Sequence, residues 1–225
     1  MTPSAAPAAR EELRGGIRAG APLALPMLLI GLSFGIEAVT RGWAPATPIA
    51  MSLLTFSGAA QIAVLGVLSA GGGVVAAVAA GLLVNLRFLP IGIAVGPSLQ
   101  GRAWWRAVVG QGIVDVSLST ARLPGGGYDG WRLLGAAAPQ WLGWQLGTVA
   151  GVVAGPRLGD SGRYGVDALF PAFFLVLLLR ELRRPRARLT AVAAAAVALA
   201  LIPLAPPGVP VIAGCSVVLL TAWRT

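Results

Sequence analysis

The chain has 225 residues, a formal net charge of +9, and only 11% charged residues against 56% hydrophobic. A soluble domain carries about 25% charged residues, so this composition argues for a helical membrane protein. Continuous rather than alternating apolar runs argue against a β-barrel.

The charge does not point to nucleic acid, because the arginines sit in loops between apolar runs, where membrane topology accounts for them. There is no lysine, which we ascribe to genome composition. There is also no histidine, so the usual metal ligand and catalytic base are missing. No metal or cofactor is expected, and proton chemistry falls to carboxylates. The single cysteine, Cys215, lies in the last apolar segment, has no intramolecular disulfide partner, and is read as a small buried side chain.

In chain order, residues 1–18 form a polar tail with Arg10, Arg14 and Arg18, and residues 19–225 form one transmembrane domain. The first apolar stretch is too long for a signal-peptide core, so it counts as a span. Eight spans are expected, at about 19–39, 47–70, 74–96, 104–121, 132–155, 165–181, 188–205 and 208–223, with seven as the alternative. The fold class is therefore all-α, a polytopic helix bundle with kinked or broken helices. With the N-terminus in the cytoplasm, eleven arginines face inside, dominated by "RELRRPRAR" at 180–188. Five face outside, namely Arg41, Arg102, Arg106, Arg157 and Arg163.

Polar residues within these spans mark the candidate site. In the first span Ser33 and Glu37 share a face; Glu37 is either a proton-coupling carboxylate or an ordinary interfacial one. In the second, Ser57 and Gln61 are four apart, with Ser52 and Thr55 before them. Serine and threonine can bond their own helix carbonyls, so Gln61 is the stronger signal. In the third, "GLLVNLRFLPIG" (81–92) carries Asn85, Arg87 and Pro90. An arginine at the bilayer centre costs about 2.5–3.5 kcal/mol on insertion scales. Pro90 has no N–H for the carbonyl of Leu86 and crowds it, so a helix break beside Arg87 is expected. Broken helices free backbone groups that can line a cavity; the competing reading is a structural ion pair. In the fourth, Gln111, Asp115 and Ser119 fall at i, i+4 and i+8, a polar stripe on one helix. Asp115 is the natural counter-charge for Arg87 and the best proton carrier, with Asp167 as a second choice.

"GWQLGTVAGVVAG" places Gly143, Gly147, Gly151 and Gly155 on one ridge, so another helix should pack closely there, within this chain or from a partner. The chain carries no phosphate loop, metal-ligand spacing or nucleophile–base pair, so an enzyme is not expected.

Taken in order, "GLSFGIEA", "MSLLTFSGAAQIAVLGVLSAG", "LLVNLRFLPIGIAVGPSL", Asp115 and "LFPAFFLVLL" resemble the AzlC family over about residues 15–180. The resemblance implies the large subunit of a bacterial exporter of branched-chain amino acids, sometimes methionine, driven by the proton motive force. It implies a plasma-membrane location and a small transmembrane partner of the AzlD type. Val116 departs from the family pattern, which often has a second polar group after the aspartate. On this reading Arg87, Asn85, Gln61, Ser57 and Asp115 line the substrate site, and Phe56 and Phe88 accept a branched side chain. The alternatives are a non-transporting scaffold subunit and a membrane-embedded enzyme.

Overall fold

The computed structural model describes residues 5–86, 88–99, 101–123 and 127–158, and beyond them 165, 168, 172, 175–176, 178–179, 182–183, 185–205 and 209–222. The described residues are almost entirely helical: α1 (Ala5–Gly20), α2 (Ala24–Thr40), α3 (Ala46–Leu54), α4 (Gly58–Ser69), α5 (Val74–Asn85), α6 (Phe88–Val95), α7 (Ala103–Gln111), α8 (Asp115–Ala121), α9 (Gly130–Leu158), α10 (Pro185–Leu201) and α11 (Val209–Ala222). Most of the expected span 165–181, with Asp167, lies outside the described residues. The chain clusters into two compact units, one of residues 1–56 and 87–159 and the other of 57–86 and 160–225.

The first unit is built on backbone contact. A short 3₁₀ turn, Ala21–Leu23, joins α1 to α2, giving a continuous apolar helix over Ala9–Thr40. The segment read as a polar tail is thus largely helical. This long element lies alongside α9 and parallel to it. A Cβ at Gly143 would overlap the carbonyl of Ala24, one at Gly147 that of Leu28, one at Gly151 that of Leu32, and one at Gly155 the side chain of Val39. The small residues answer from the other side: Gly16 meets Arg132, Gly20 meets Ala136, Gly31 meets Trp144 and Gly35 meets Thr148. The glycine ridge therefore packs within the chain. The rows interlock because small residues let backbones approach, and each Cα–H can lie against a facing carbonyl oxygen.

The fourth expected span is corrected. Residues 103–121 are two short helices that double back. Gly112, at their tip, packs on Leu133 and Ala137 of α9. The outgoing end returns to the start of α9, where the N–H of Asp129 bonds the carbonyl of Ala121 at 2.9 Å. The incoming end is at the same level: Trp105 lies 5.3 Å, centroid to centroid, from Trp131, and the N–H of Tyr128 bonds Ser98 Oγ at 3.2 Å. Val95, Val109, Ala121 and Leu133 close the core between these pieces. Helices of nine and seven residues are about 13 and 10 Å long, too short to cross a ~30 Å core. Arg102 and Arg106 consequently lie at the same end as Arg122 and Arg132, not opposite them.

In the second unit α4 and α5 form an antiparallel hairpin, with Gly81 against Val64 and Ala60. α10 and α11 pair through Gly214, which faces Ala194 and Ala198.

The ridge sets a clear contrast between two glycines. Gly147→Ala forces the α2 and α9 backbones apart and should cost about 1–3 kcal/mol or more. Gly66→Ala has open space around it and should gain about 0.5–1 kcal/mol from helix propensity. Thermal unfolding of the purified protein in detergent checks both; equal Tm for Gly147→Ala and wild type would contradict this packing.

Candidate functional site

Three apolar runs that read as single helices are interrupted. Each interruption has a local cause. The run 47–70 breaks at Thr55–Ser57, where Thr55 is extended (φ −129°, ψ 101°) and Ser57 stays outside the helical region (φ −147°, ψ 86°). Upstream of that break α3 is gripped by α9. Ser52 Oγ accepts a bond from Trp144 Nε1 at 3.1 Å and lies 3.2 Å from Thr148 Oγ1; Gln145 Nε2 donates to the Ser52 carbonyl at 2.7 Å. In the run 74–96, α5 ends at Asn85 and α6 starts at Phe88, which puts Pro90 in the first turn of α6, where its missing N–H removes no helical bond.

The run 104–121 breaks at Gly112–Val114. Here the fully buried Ser117 redirects the chain: its hydroxyl lies 2.6 Å from the Gly112 carbonyl and 2.9 Å from that of Val114, and it accepts from the Val114 N–H at 2.9 Å. A side chain that captures nearby backbone groups competes with helical bonding, and the β-branched Ile113 and Val114 favour the extended chain. Gln111, Asp115 and Ser119 are therefore not one helical stripe. Gln111 ends α7 and Asp115 opens α8; the side chains of Asp115 and Ser119 lie outside the described residues, as does that of Pro90.

Within the first unit, the end of α3 and the tip of the α7–α8 hairpin approach one stretch of α9 from opposite ends. Leu54 and Phe56 of one, Gln111 and Gly112 of the other, and Ala138 and Trp141 of α9 surround a recess of about 490 Å³. Trp141 is about 14 Å along the helix from Arg132, at the start of α9, far enough to lie inside a ~30 Å hydrocarbon core. The walls are apolar. Both helix ends are C-terminal, so their last carbonyls carry negative partial charge. Such a place suits an apolar side chain attached to a cationic group.

In the second unit, Ser57 Oγ donates to Asn85 Oδ1 at 2.5 Å, tying the two breaks together across the α4–α5 hairpin. Gln61 is fully buried one turn into α4, its N–H on the Ser57 carbonyl at 3.0 Å. Arg87 lies outside the described residues.

Glu37 is placed apart from the recess. It is buried in the last turn of α2, with Oε2 2.7 Å from Arg41 Nε. That turn packs by Gly155, roughly 20 Å along α9 from Trp141. Sequence reasoning also passed over Ser117, Trp144, Gln145 and Thr148. The "GIV" at 112–114 followed by a serine was the available signal for the first; for the others there was only their position on the glycine-rich span.

Ala9–Thr40 is long and apolar enough to cross a membrane alone, whereas Gly58–Ser69, Val74–Asn85 and Ala187–Leu201 are apolar but shorter. Glycine-packed helices, interrupted apolar runs and buried polar links define a helical membrane protein. The chain belongs to the AzlC family, whose model, described as "AzlC protein", matches residues 22–158. It is 28% identical to the inner membrane protein YgaZ of Escherichia coli, over 98% of this chain and 93% of that one. It is 25% identical to the branched-chain amino acid transport protein AzlC of Bacillus subtilis, over 76% and 70%. It is 30% identical to an uncharacterised membrane protein of Archaeoglobus fulgidus, over 83% of each. No solved structure matches the chain.

Two experiments probe the breaks. Ser117→Ala removes the buried hydroxyl's bonds to the turn and should cost about 0.5–1.5 kcal/mol, measured as a lowered unfolding midpoint. A double-mutant cycle of Ser57→Ala and Asn85→Ala should return a coupling of about 0.6 kcal/mol, the usual size for hydrogen bonds inside membrane proteins; strict additivity would mean that the link carries no energy.

Proposed function

We propose that this chain is the large subunit of a secondary transporter that exports branched-chain amino acids, and methionine with them, across the bacterial plasma membrane in exchange for protons. The observation that carries the reading is the recess at the meeting of two helix ends, in a chain of the AzlC family with a relative named for branched-chain amino acid transport. The carbonyl ends of α3 and α7 would draw the substrate ammonium, and Phe56, Leu54 and Trp141 would enclose a branched side chain. Arg87 would bind the carboxylate, or hold Asp115 until substrate arrives. Asp115 would carry the proton, since no histidine is present. Ser57, Gln61 and Asn85 of the second unit would supply further polar groups for substrate binding. A small transmembrane partner of the AzlD type would complete the transporter. The N-terminus would be cytoplasmic, since Arg10, Arg14, Arg18, Arg102, Arg106, Arg122 and Arg132 gather at one end of the first unit and Arg41 and Arg157 at the other.

Export of isoleucine, leucine and valine from peptide-fed cells tests this. Deleting the gene in a strain with no redundant exporter should raise intracellular levels, and restoring it with its small neighbour should lower them. Arg87→Ala should express normally and lose export. Asp115→Asn should lose export driven by a pH gradient while keeping amino acid exchange across vesicles. Full gradient-driven export by Asp115→Asn would remove it as the proton carrier.

A further inference from the structure

The arginines at the start of the chain have a use beyond topology. Arg10, Arg14 and Arg18 are spaced four apart on α1, so they share one face, and all three are exposed. Arg132 joins them from α9: its backbone packs on Gly16, between the levels of Arg14 and Arg18. These four, with Glu11 and Glu12, line one groove. Four cations against two carboxylates leave it positive. The internal pairing is weak. Arg132 Nη1 lies 3.4 Å from Glu12 Oε2, with both side chains about two-fifths exposed, and Arg132 Nε is buried with no hydrogen-bond partner among the described residues.

Helix length fixes the depth. Gly20–Thr40 alone is about 30 Å long and fills the hydrocarbon core. Arg18 and Arg14 then stand about 3 and 9 Å beyond its edge, bracketing a headgroup layer about 5–7 Å deep. Guanidinium groups pair with phosphate through two parallel N–H bonds, and basic pockets between helices at this depth suit anionic headgroups.

We infer that the groove between α1 and the start of α9 binds the phosphate of an anionic phospholipid. A phosphodiester there pairs with the exposed part of the Arg132 guanidinium and neutralises the α1 row. The lipid tails run down the exposed apolar side of α2, where Leu25 and Leu29 face outward. The membrane, rather than a soluble anion, is the source, because the groove sits at headgroup level.

Native mass spectrometry of the full-length protein tests this. It is released from mixed micelles containing phosphatidylglycerol or phosphatidylcholine with identical acyl chains, with and without inorganic phosphate. Wild type should retain phosphatidylglycerol and shed phosphatidylcholine. Each of Arg14→Gln and Arg132→Gln should weaken retention about fivefold, the equivalent of ~1 kcal/mol per arginine near an anionic surface. Glu12→Gln, which removes a competing carboxylate, should strengthen it, and keeps the idea testable if an arginine variant does not fold. Equal retention of the two lipids, or wild-type retention by both arginine variants, overturns the site. Displacement of the lipid by millimolar inorganic phosphate would overturn the lipid as its ligand.

Discussion

The close contact between the α1–α2 element and α9 is the constraint on which the first unit depends. In lipid there is little hydrophobic gain from bringing two helices together, because the tails are as apolar as leucine; packing and polar contacts supply the attraction instead. Glycines on both helices allow each backbone to lie in the other's groove. The register follows without freedom. Gly143, Gly147 and Gly151 meet the carbonyls of Ala24, Leu28 and Leu32, so a slip of one residue would put a side chain where only hydrogen fits. Farther along, Leu13 faces Gly135 rather than the residue that the same spacing would give, and the 3₁₀ turn at Ala21–Leu23 absorbs the difference. Everything else in the unit is then placed against α9 at known levels: α3 by Trp144, Gln145 and Thr148, and the α7–α8 hairpin by Leu133 and Ala137.

Against such a rigid pair, interrupted helices are affordable. A broken helix at membrane depth exposes N–H and C=O groups that lipid cannot satisfy, each at several kcal/mol. Here side chains take up part of that cost. Ser117 serves the turn at Gly112–Val114, and Gln145 takes the carbonyl of Ser52. These are short, mostly uncharged groups on rigid elements. That keeps the open helix ends fixed in position, which any binding site needs if recognition is not to cost ordering entropy on each cycle.

Some of this was legible in the sequence. The four-residue glycine spacing identifies a helix face and its tight packing, because the information is local and periodic. The breaks at Thr55–Ser57 and Gly112–Val114 were not legible. Ser117 looks like any serine until the chain has turned, and Ser52 is held by residues 92 to 96 positions away. Nor could hydropathy distinguish a crossing helix from a hairpin at 103–121. Two half-length apolar helices in sequence carry the same summed hydropathy as one full span, and the difference lies in a three-residue turn.

That turn also changes the electrostatics. If 103–121 crossed, Arg102 and Arg106 would stand opposite Arg122 and Arg132 and dilute the asymmetry of charge. Because it returns, they join the same end. Arg106 there donates to the Gly96 carbonyl at 3.2 Å, at the start of the 3₁₀ turn after α6. The orientation signal and the geometry of the recess thus have one physical origin. The fold that brings the tip of α7 beside Phe56 also gathers the arginines at its base, and a change that straightened the hairpin would disturb both.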